Sequence, residues 1–217
     1  MEAAVAAMPS YTVQQGDHLS GIAQQFGFQN IDTIWNHPNN ATLKQQRKNP
    51  HILFPGDQLF IPDKTDKNAP APTTKMNKFQ LDLTPLKLNL KLQDVNGDPI
   101  ASKPVKIVLE GDTVPPPSTD GSGKTSSTIK KTAQNGLLIF GDLEFPLLVG
   151  HLDPIDQQSG QIARLNNLGY EAGDPATVDA VAFESAVEEF QCDNGIKPIT
   201  GNCDSTTQDT LKSVHGC

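Results

Sequence analysis

The 217-residue chain is short of the residues that build a large core. Aromatic residues make up 6% of it and hydrophobic residues 36%, against the ~45–50% apolar share, glycine included, of an ordinary globular domain. No apolar run approaches the ~18 residues of a membrane span. Positive charge is also in deficit: 17 Lys and Arg stand against 25 Asp and Glu, a net charge of −8. That balance argues against a nucleic-acid partner, because phosphate binding draws on a basic surface. The N-terminus, Met-Glu-Ala-Ala-Val-Ala-Ala-Met, has no basic region ahead of its short alanine run. A secretory signal is therefore not expected there, and a role outside the cytosol would need another export route or earlier removal of a signal. Cysteine is scarce: Cys192, Cys203 and Cys217 all lie near the C-terminal end, and one bridge among them leaves an odd thiol. Glycine and proline, at 17 each, are well represented. The length and this mix fit several small domains joined by turns better than one enzyme-sized core.

Charge divides the chain further. Residues 1–62 carry three basic and four acidic side chains, residues 63–150 eleven and ten, and residues 151–217 three and eleven. The acidic excess thus sits in the last third, as expected for separately built units. Residues 63–78 open with Asp-Lys-Thr-Asp-Lys-Asn-Ala-Pro-Ala-Pro-Thr-Thr-Lys, polar and without apolar periodicity. They read as an extended, semi-stiff linker. A second boundary falls between Phe145 and Gly150, where strand alternation gives way to helical spacing.

In residues 10–62, Tyr11 to Val13 form a short β-type run. Leu19, Ile22, Ala23 and Phe26 follow on one helical face, with Asp17 as the expected N-cap and Gly27 as the stop. Ile31, Ile34 and Trp35 predict a second short helix. Pro55-Gly56-Asp57 is a turn before a strand at Gln58 to Ile61. Tyr-Thr-Val-Gln-Gln-Gly-Asp-His-Leu-Ser-Gly-Ile-Ala (11–23), Ile-Trp-Asn (34–36) and Asn-Pro-His-Ile-Leu-Phe-Pro-Gly-Asp-Gln-Leu-Phe-Ile-Pro (49–62) together resemble a lysin motif (LysM) module. The resemblance implies binding of N-acetylglucosamine-containing glycans, chiefly peptidoglycan and chitin, in a groove between two loops. Carried over, it puts Gly16, Asp17, His18 and Leu19 on one lip and Asn49, Pro50, His51, Ile52 and Leu53 on the other. Backbone amides and carbonyls of facing loops would read the N-acetyl groups, with apolar side chains under the methyl. Residues 37–48 are longer than the usual connection in such modules and are expected to extend the groove or cover it. Core packing accounts for Leu19, Ile34 and Trp35 better than ligand contact does.

In residues 79–146, Leu81 and Leu83 alternate, as do Leu86, Leu88, Leu90 and Leu92 with Lys87, Asn89 and Lys91. This is the period of a half-buried strand. Asn96-Gly97 carries a hairpin signal. Further strands are predicted at Val105 to Leu109, Thr125 to Lys130 and Leu137 to Phe140, with Asn135-Gly136 as a turn. The series resembles a small β-sandwich of the immunoglobulin or carboxypeptidase-regulatory, transthyretin-like type. Two decoys occur. Ser118 to Thr125 is close to a phosphate loop, but Ser118 stands where Gly is needed and the following residues read as strand. Asp94, Asn96 and Asp98 open like a calcium loop, but its sixth and twelfth positions are Pro99 and Val105.

In residues 150–217, Ile162, Leu165 and Leu168 mark a helix ending at Gly169. Val178, Ala182, Phe183, Ala186, Val187 and Phe190 mark a longer one, and Leu211 and Val214 a third capped by Asp204 or Ser205. Ser-Gly-Gln-Ile-Ala-Arg-Leu-Asn-Asn-Leu-Gly-Tyr (159–170), Ala-Phe-Glu-Ser-Ala-Val-Glu-Glu-Phe-Gln (182–191), Thr-Gly-Asn-Cys-Asp (200–204) and Thr-Gln-Asp-Thr-Leu (207–211) resemble the three-helix peptidoglycan-binding domain. That resemblance implies a second wall-binding site, placed at Asn167, Tyr170 and Gln191, each of which is also suited to capping a helix or closing a loop. A loop of about a dozen residues joins Cys192 to Cys203, short enough for a bridge. Cys217 lies beyond a helix that carries it roughly 15 Å from Cys203. A Cys192–Cys203 disulfide is therefore expected, stabilising by about 3 kcal/mol in the loop-entropy picture, and with it an oxidising compartment. No His or Cys pair has zinc-ligand spacing, so no metal or other cofactor is expected.

No catalytic motif emerges. His151-Leu-Asp153 has no His-rich partner beyond His215, and Glu184, Glu188 and Glu189 fit the solvated face of their helix. The fold class expected is multi-domain α+β: a βααβ LysM module (10–62), a small all-β sandwich (79–146) and a three-helix bundle (150–217). The function expected is a non-catalytic peptidoglycan-binding adaptor. Its partners would be the glycan or its stem peptides, and a spike or effector of a phage-tail-like or contractile secretion machine. A wall hydrolase or toxin subunit with an unrecognised active site, and a structural tail or baseplate component, stay open as alternatives.

Overall fold

The computed structural model describes residues 10–65, 70–78, 85–114 and 118–217. The Leu81 and Leu83 alternation and part of the 63–78 linker lie outside them. The element order is β1 (Ser10–Thr12), α1 (Leu19–Gln25), α2 (Asp32–Trp35), α3 (Ala41–Arg47), β2 (Gln58–Phe60), then strands β3 (Leu86–Lys91), β4 (Lys106–Leu109), β5 (Asp112–Val114), β6 (Lys124–Ile129), β7 (Asn135–Phe140) and β8 (Leu143–Leu148). Helices α4 (Gln158–Asn167), α5 (Ala180–Asp193) and α6 (Ser205–His215) follow. The fold is mixed α and β, with helical modules at both ends and a β-rich middle between them.

In the first module β1 and β2 pair antiparallel, with Tyr11 opposite Leu59. The α1 face made by Leu19, Ile22 and Ala23 packs with Val13, Ile34, Trp35, Leu53, Leu59 and Ile61. The 37–48 segment is not a loop. It makes a single 3-10 turn at Pro38–Asn40 and then α3, whose Leu43 enters the core, so the module reads βαααβ. Asn40 is 1% exposed. Its Nδ2 donates to the carbonyls of Ile34 and Phe60, each at 2.8 Å, and its Oδ1 accepts from the Phe60 amide at 2.8 Å. One side chain thereby ties the end of α2 to β2. Arg47 at the end of α3 grips Asp57 through Nε and Nη2, both at 2.8 Å. Asp57 also accepts from the Phe54 amide, so the turn before β2 is fixed to α3. Asp17 is not the cap of α1. Its carboxylate accepts from Tyr11 Oη and the Gln14 amide, and the cap is His18, whose Nδ1 accepts from the Gly21 amide at 3.3 Å.

The middle is two antiparallel sheets, β3–β6 and β5–β4–β7–β8. Between them lie Val105, Ile107, Leu109, Ile129, Ala133 and Leu138, with the half-buried leucines of β3 packed against these. The Asn96-Gly97 turn forms, with Asp94 Oδ1 accepting from the Asn96 and Asp98 amides. It does not close a hairpin, because β3 pairs with the distant β6, Leu88 opposite Ser127. Asn135-Gly136 is not a turn but the start of β7, where a Cβ on Gly136 would strike the Val108 carbonyl. Thr119, 3% exposed, donates to the Ile100 carbonyl and accepts from the Lys103 amide, fastening the long β3–β4 connection.

In the last module Ile162, Leu165, Ala186, Val187, Phe190 and Leu211 meet among the three helices. Asp179 caps α5 and Asp204 caps α6. The expected Cys192–Cys203 disulfide is absent: all three cysteines are free. The α5 spacing explains this. Phe190 and Gln191 face inward, which turns Cys192 to solvent, while Cys203 packs against the core. The loop is closed instead by Gln191. Its Nε2 donates to the Asn202 carbonyl and Thr207 Oγ1, and its Oε1 accepts from the amides of Thr200 and Gly201.

Replacing Asn40 by Ala strands buried backbone groups of Ile34 and Phe60. The expected loss is on the order of 2–4 kcal/mol, counting roughly 1–3 kcal/mol for each unsatisfied buried group. Denaturation followed by fluorescence of Trp35, the single tryptophan, reads it. An unchanged midpoint would mean that Asn40 does not anchor the inserted segment.

Candidate functional site

The two lips expected from the LysM resemblance come together at the end of α1. The Leu19 amide donates to the Pro50 carbonyl at 3.2 Å, joining them directly. Across this seam the rings of His18 and His51 lie 6.1 Å apart, inclined by 56°. Asn49 Oδ1 accepts from the His51 amide at 2.9 Å, and the Ile52 amide donates to the Asn49 carbonyl, so the second lip is a tight turn. Leu19, Ile52 and Leu53 are buried, Leu19 and Leu53 within the module core. Asp17 organises the first lip from within through Tyr11 and Gln14. Tyr11 is correspondingly held protonated, its pKa pushed up to about 12 by burial and by that carboxylate.

Two features of the seam bear on chemistry. His51 Nδ1 is buried and has no hydrogen-bond partner within the described residues. An unspent buried polar atom suits a ligand hydroxyl or amide. His18 is held neutral: burial, then the His51 ring, lower its pKa to about 4, with Asp17 acting in the opposite direction. Burial lowers His51 as well.

The first lip also abuts the rest of the chain. The Gly16 carbonyl lies 3.5 Å from Gln134 Nε2, and Gln15 Nε2 lies 3.4 Å from the His151 carbonyl. Gly16 and Gly150 both have left-handed backbones (φ of +88° and +83°). They approach so closely that a Cβ on Gly150 would run into the Gly16 carbonyl, and one on Gly16 would lie 2.9 Å from His151 Nε2. On the other side of the seam, Arg47 Nη1 is 3.6 Å from Asp156 Oδ1.

The residues placed at a second wall site do not share a surface pocket. Asn167 is exposed at the end of α4, 3.1 Å from His215 Nε2. Tyr170 stacks edge-on with Phe190, and its hydroxyl donates to Asp193 at 3.1 Å. Burial and Asp193 push its pKa up to about 12. Gln191 is 1% exposed and spent on its own loop. Arg164, also 1% exposed, was not singled out by the sequence. It donates to the carbonyls of Asp153, Gly160 and Cys217, and its only sequence signal is a cation on an otherwise apolar helix face.

The lowered His18 pKa sets a pH dependence. The folded form binds fewer protons than the unfolded chain, so this contribution is complete above about pH 6.5 and is lost as pH falls toward 4. It is worth on the order of 3 kcal/mol as an upper bound. The Trp35-detected melting temperature is expected to drop over that window. His18→Ser, which keeps an N-capping oxygen without titrating, is expected to flatten the drop. An equal drop in the variant would assign the effect to other groups.

Comparison with protein families matches a LysM domain to residues 11–44 and a putative peptidoglycan binding domain to residues 163–211. No curated protein and no solved structure matches the chain. The first match ends inside α3, and the second runs from the first turns of α4 into α6. The chain therefore carries a LysM module and a putative peptidoglycan-binding module, one toward each end, with a β-rich region between them.

Proposed function

We propose that this chain is a non-catalytic peptidoglycan-binding adaptor. The observation that carries the reading is the pair of unrelated families, both tied to wall polymers, matched toward the two ends of one chain. Those matches support peptidoglycan as the ligand. The glycan would lie across the His18–His51 seam, its N-acetyl methyl over Leu19, Ile52 and Leu53 and a polar group on His51 Nδ1. The last third is strongly acidic, so the second module would recognise the polymer by hydrogen bonds and shape rather than by attracting its carboxylates. Two weak sites on one chain gain avidity when both reach the polymer.

The protein acts, in this reading, at the wall or outside the cell. Among the described residues no helix is long and apolar enough to cross a membrane. A spike or effector partner would dock on the middle module, where Leu143, Phe145 and Leu148 of β8 are 46–61% exposed.

The test is a pull-down of the full chain on insoluble peptidoglycan with the supernatant assayed for soluble fragments. Retention without release is expected. Release of fragments would move a wall hydrolase to first place, and no retention would favour a structural tail or baseplate component. His51→Ala is expected to weaken binding about five- to tenfold, the worth of one hydrogen bond. It should leave the Trp35-detected stability nearly unchanged.

A further inference from the structure

The connection that leads from β8 into α4 has no counterpart in either matched family segment, since the matches end at residue 44 and resume at 163. It nevertheless makes the closest approaches to the LysM seam. A Cβ on Gly150 would strike the Gly16 carbonyl and lie 3.2 Å from His18 Cδ2, so only glycine fits there. His151 lies beside Gly16, and its carbonyl is 3.4 Å from Gln15 Nε2. Asp156 presents a carboxylate to Arg47 Nη1 at 3.6 Å, and that nitrogen is buried with no hydrogen bond of its own. From the sheet side, Gln134 reaches the Gly16 carbonyl, Lys131 Nζ donates to the Gln29 carbonyl at 3.1 Å, and the Lys131 carbonyl closes on Gly21. Under this arrangement Gly16 and His18 are buried, although each stands on a lip of the site.

We propose that the segment from Gly150 to Asp156 is an internal cap on the LysM groove, and that a glycan reaches the first lip only when this segment is lifted away. The inference rests on the groove reading of the preceding subsection. The contacts that hold the cap are few and modest. Among the described residues the segment itself contributes one long side-chain-to-carbonyl hydrogen bond, from Gln15 to His151, and one ion pair whose aspartate side chain is 56% exposed, while Gln134 and Lys131 add contacts from the sheet. Such a contact is reversible, because surface ion pairs contribute little. The sequence after Pro62 is polar and contains proline, so the module would stay tethered to the chain when the cap lifts. The ligand's apparent affinity is then its intrinsic affinity reduced by the fraction of molecules with the cap lifted.

Two full-length variants open the cap from outside the groove: Asp156→Arg, which sets two cations against each other, and Gly150→Ala, whose methyl would strike Gly16. Two quantities are read on each variant and on the wild type. One is amide hydrogen exchange at Gly16 to Leu19. The other is the dissociation constant for a short N-acetylglucosamine oligomer, taken from the Gly16 and Ile52 amide resonances so that the C-terminal module does not contribute. Both variants are expected to speed exchange and to tighten binding by about tenfold or more, the gain when a closed state holds roughly nine molecules in ten. In the wild type, saturating oligomer is expected to raise exchange at His151 to Asp156. Faster exchange with unchanged affinity would overturn the cap and leave the glycan site standing. Faster exchange with no oligomer binding by any form would overturn the groove reading, and the cap with it. Unchanged exchange in both variants, with unchanged affinity, would show that the seam is not held shut by this segment.

Discussion

A buried side chain hydrogen-bonded to main-chain groups is the interaction on which every module of this protein depends. Modules of this size bury too little apolar surface to fix their loops by packing alone. Each spends a buried polar side chain on tying an irregular stretch to the rest of the module: Asn40 in the first, Thr119 in the second and Gln191 in the third. All three are at most 3% exposed. The amide of Asn or Gln is suited to this because it donates and accepts at once, replacing the partners that a strand would have supplied. Gln191 shows the economy: a single residue closes the α5–α6 loop that a disulfide was expected to close. The loop then needs no oxidising compartment to hold it, and the free thiols carry no information about where the protein works.

The same constraint shapes the seam between the two LysM lips. The lips are bound to each other through Leu19 and Pro50, and the first is held open in shape by Asp17 acting from below. His18 is committed twice, as an acceptor for the Gly21 amide and as a neighbour of His51. Its neutrality follows from burial first and the His51 ring second, and it leaves Nδ1 free to accept from Gly21. His51 Nδ1, buried with no hydrogen-bond partner among the described residues, is the group the proposed glycan would engage. The first lip is therefore structural in its side chains and offers chiefly backbone, whereas the second lip offers a side chain.

Much of this was legible in the residues. The i, i+3, i+4 pattern from Leu19 to Ala23 and the leucine alternation of β3 report burial on one face, and packing does not override it. The failures have a common form. Local signals were read as local structure where a distant partner decided the outcome. Asn96-Gly97 does make its turn, yet β3 takes β6 as its partner, and no dipeptide encodes that choice. Gly136 signalled a turn, but its lack of a side chain serves the close approach of Val108 within a sheet. Segment 37–48 has one apolar side chain, Leu43, that enters the core, too few to show a period, and its order comes from Asn40 and Arg47 reaching across to β2 and Asp57. Asp17 and His18 are adjacent and both able to cap; the competition was settled by Tyr11, which claims the aspartate.

The segment between β8 and α4 links the two ends of the chain mechanically. On its far side it is bound into the third module. Arg164 donates to the Asp153 carbonyl, Ser159 Oγ donates to the Asp153 carboxylate, and Gly160 closes so tightly on Pro154 that no side chain fits between them. Arg164 is buried against these carbonyls; desolvation lowers its pKa, and Cys217 and Asp153 act in the opposite direction. On its near side the segment rests on Gly16. A stiff element held at one end and lightly seated at the other transmits, because it cannot yield internally. Linkage then requires reciprocity: a glycan that lifts the segment from the LysM lip alters the setting of α4 by the same free energy with which a ligand on the third module would alter the lip. The two wall-binding modules are in that case not independent weights on a flexible string. If the proposed cap holds, the segment before α4 would couple the two ends of the chain, so that engagement of one would set the readiness of the other.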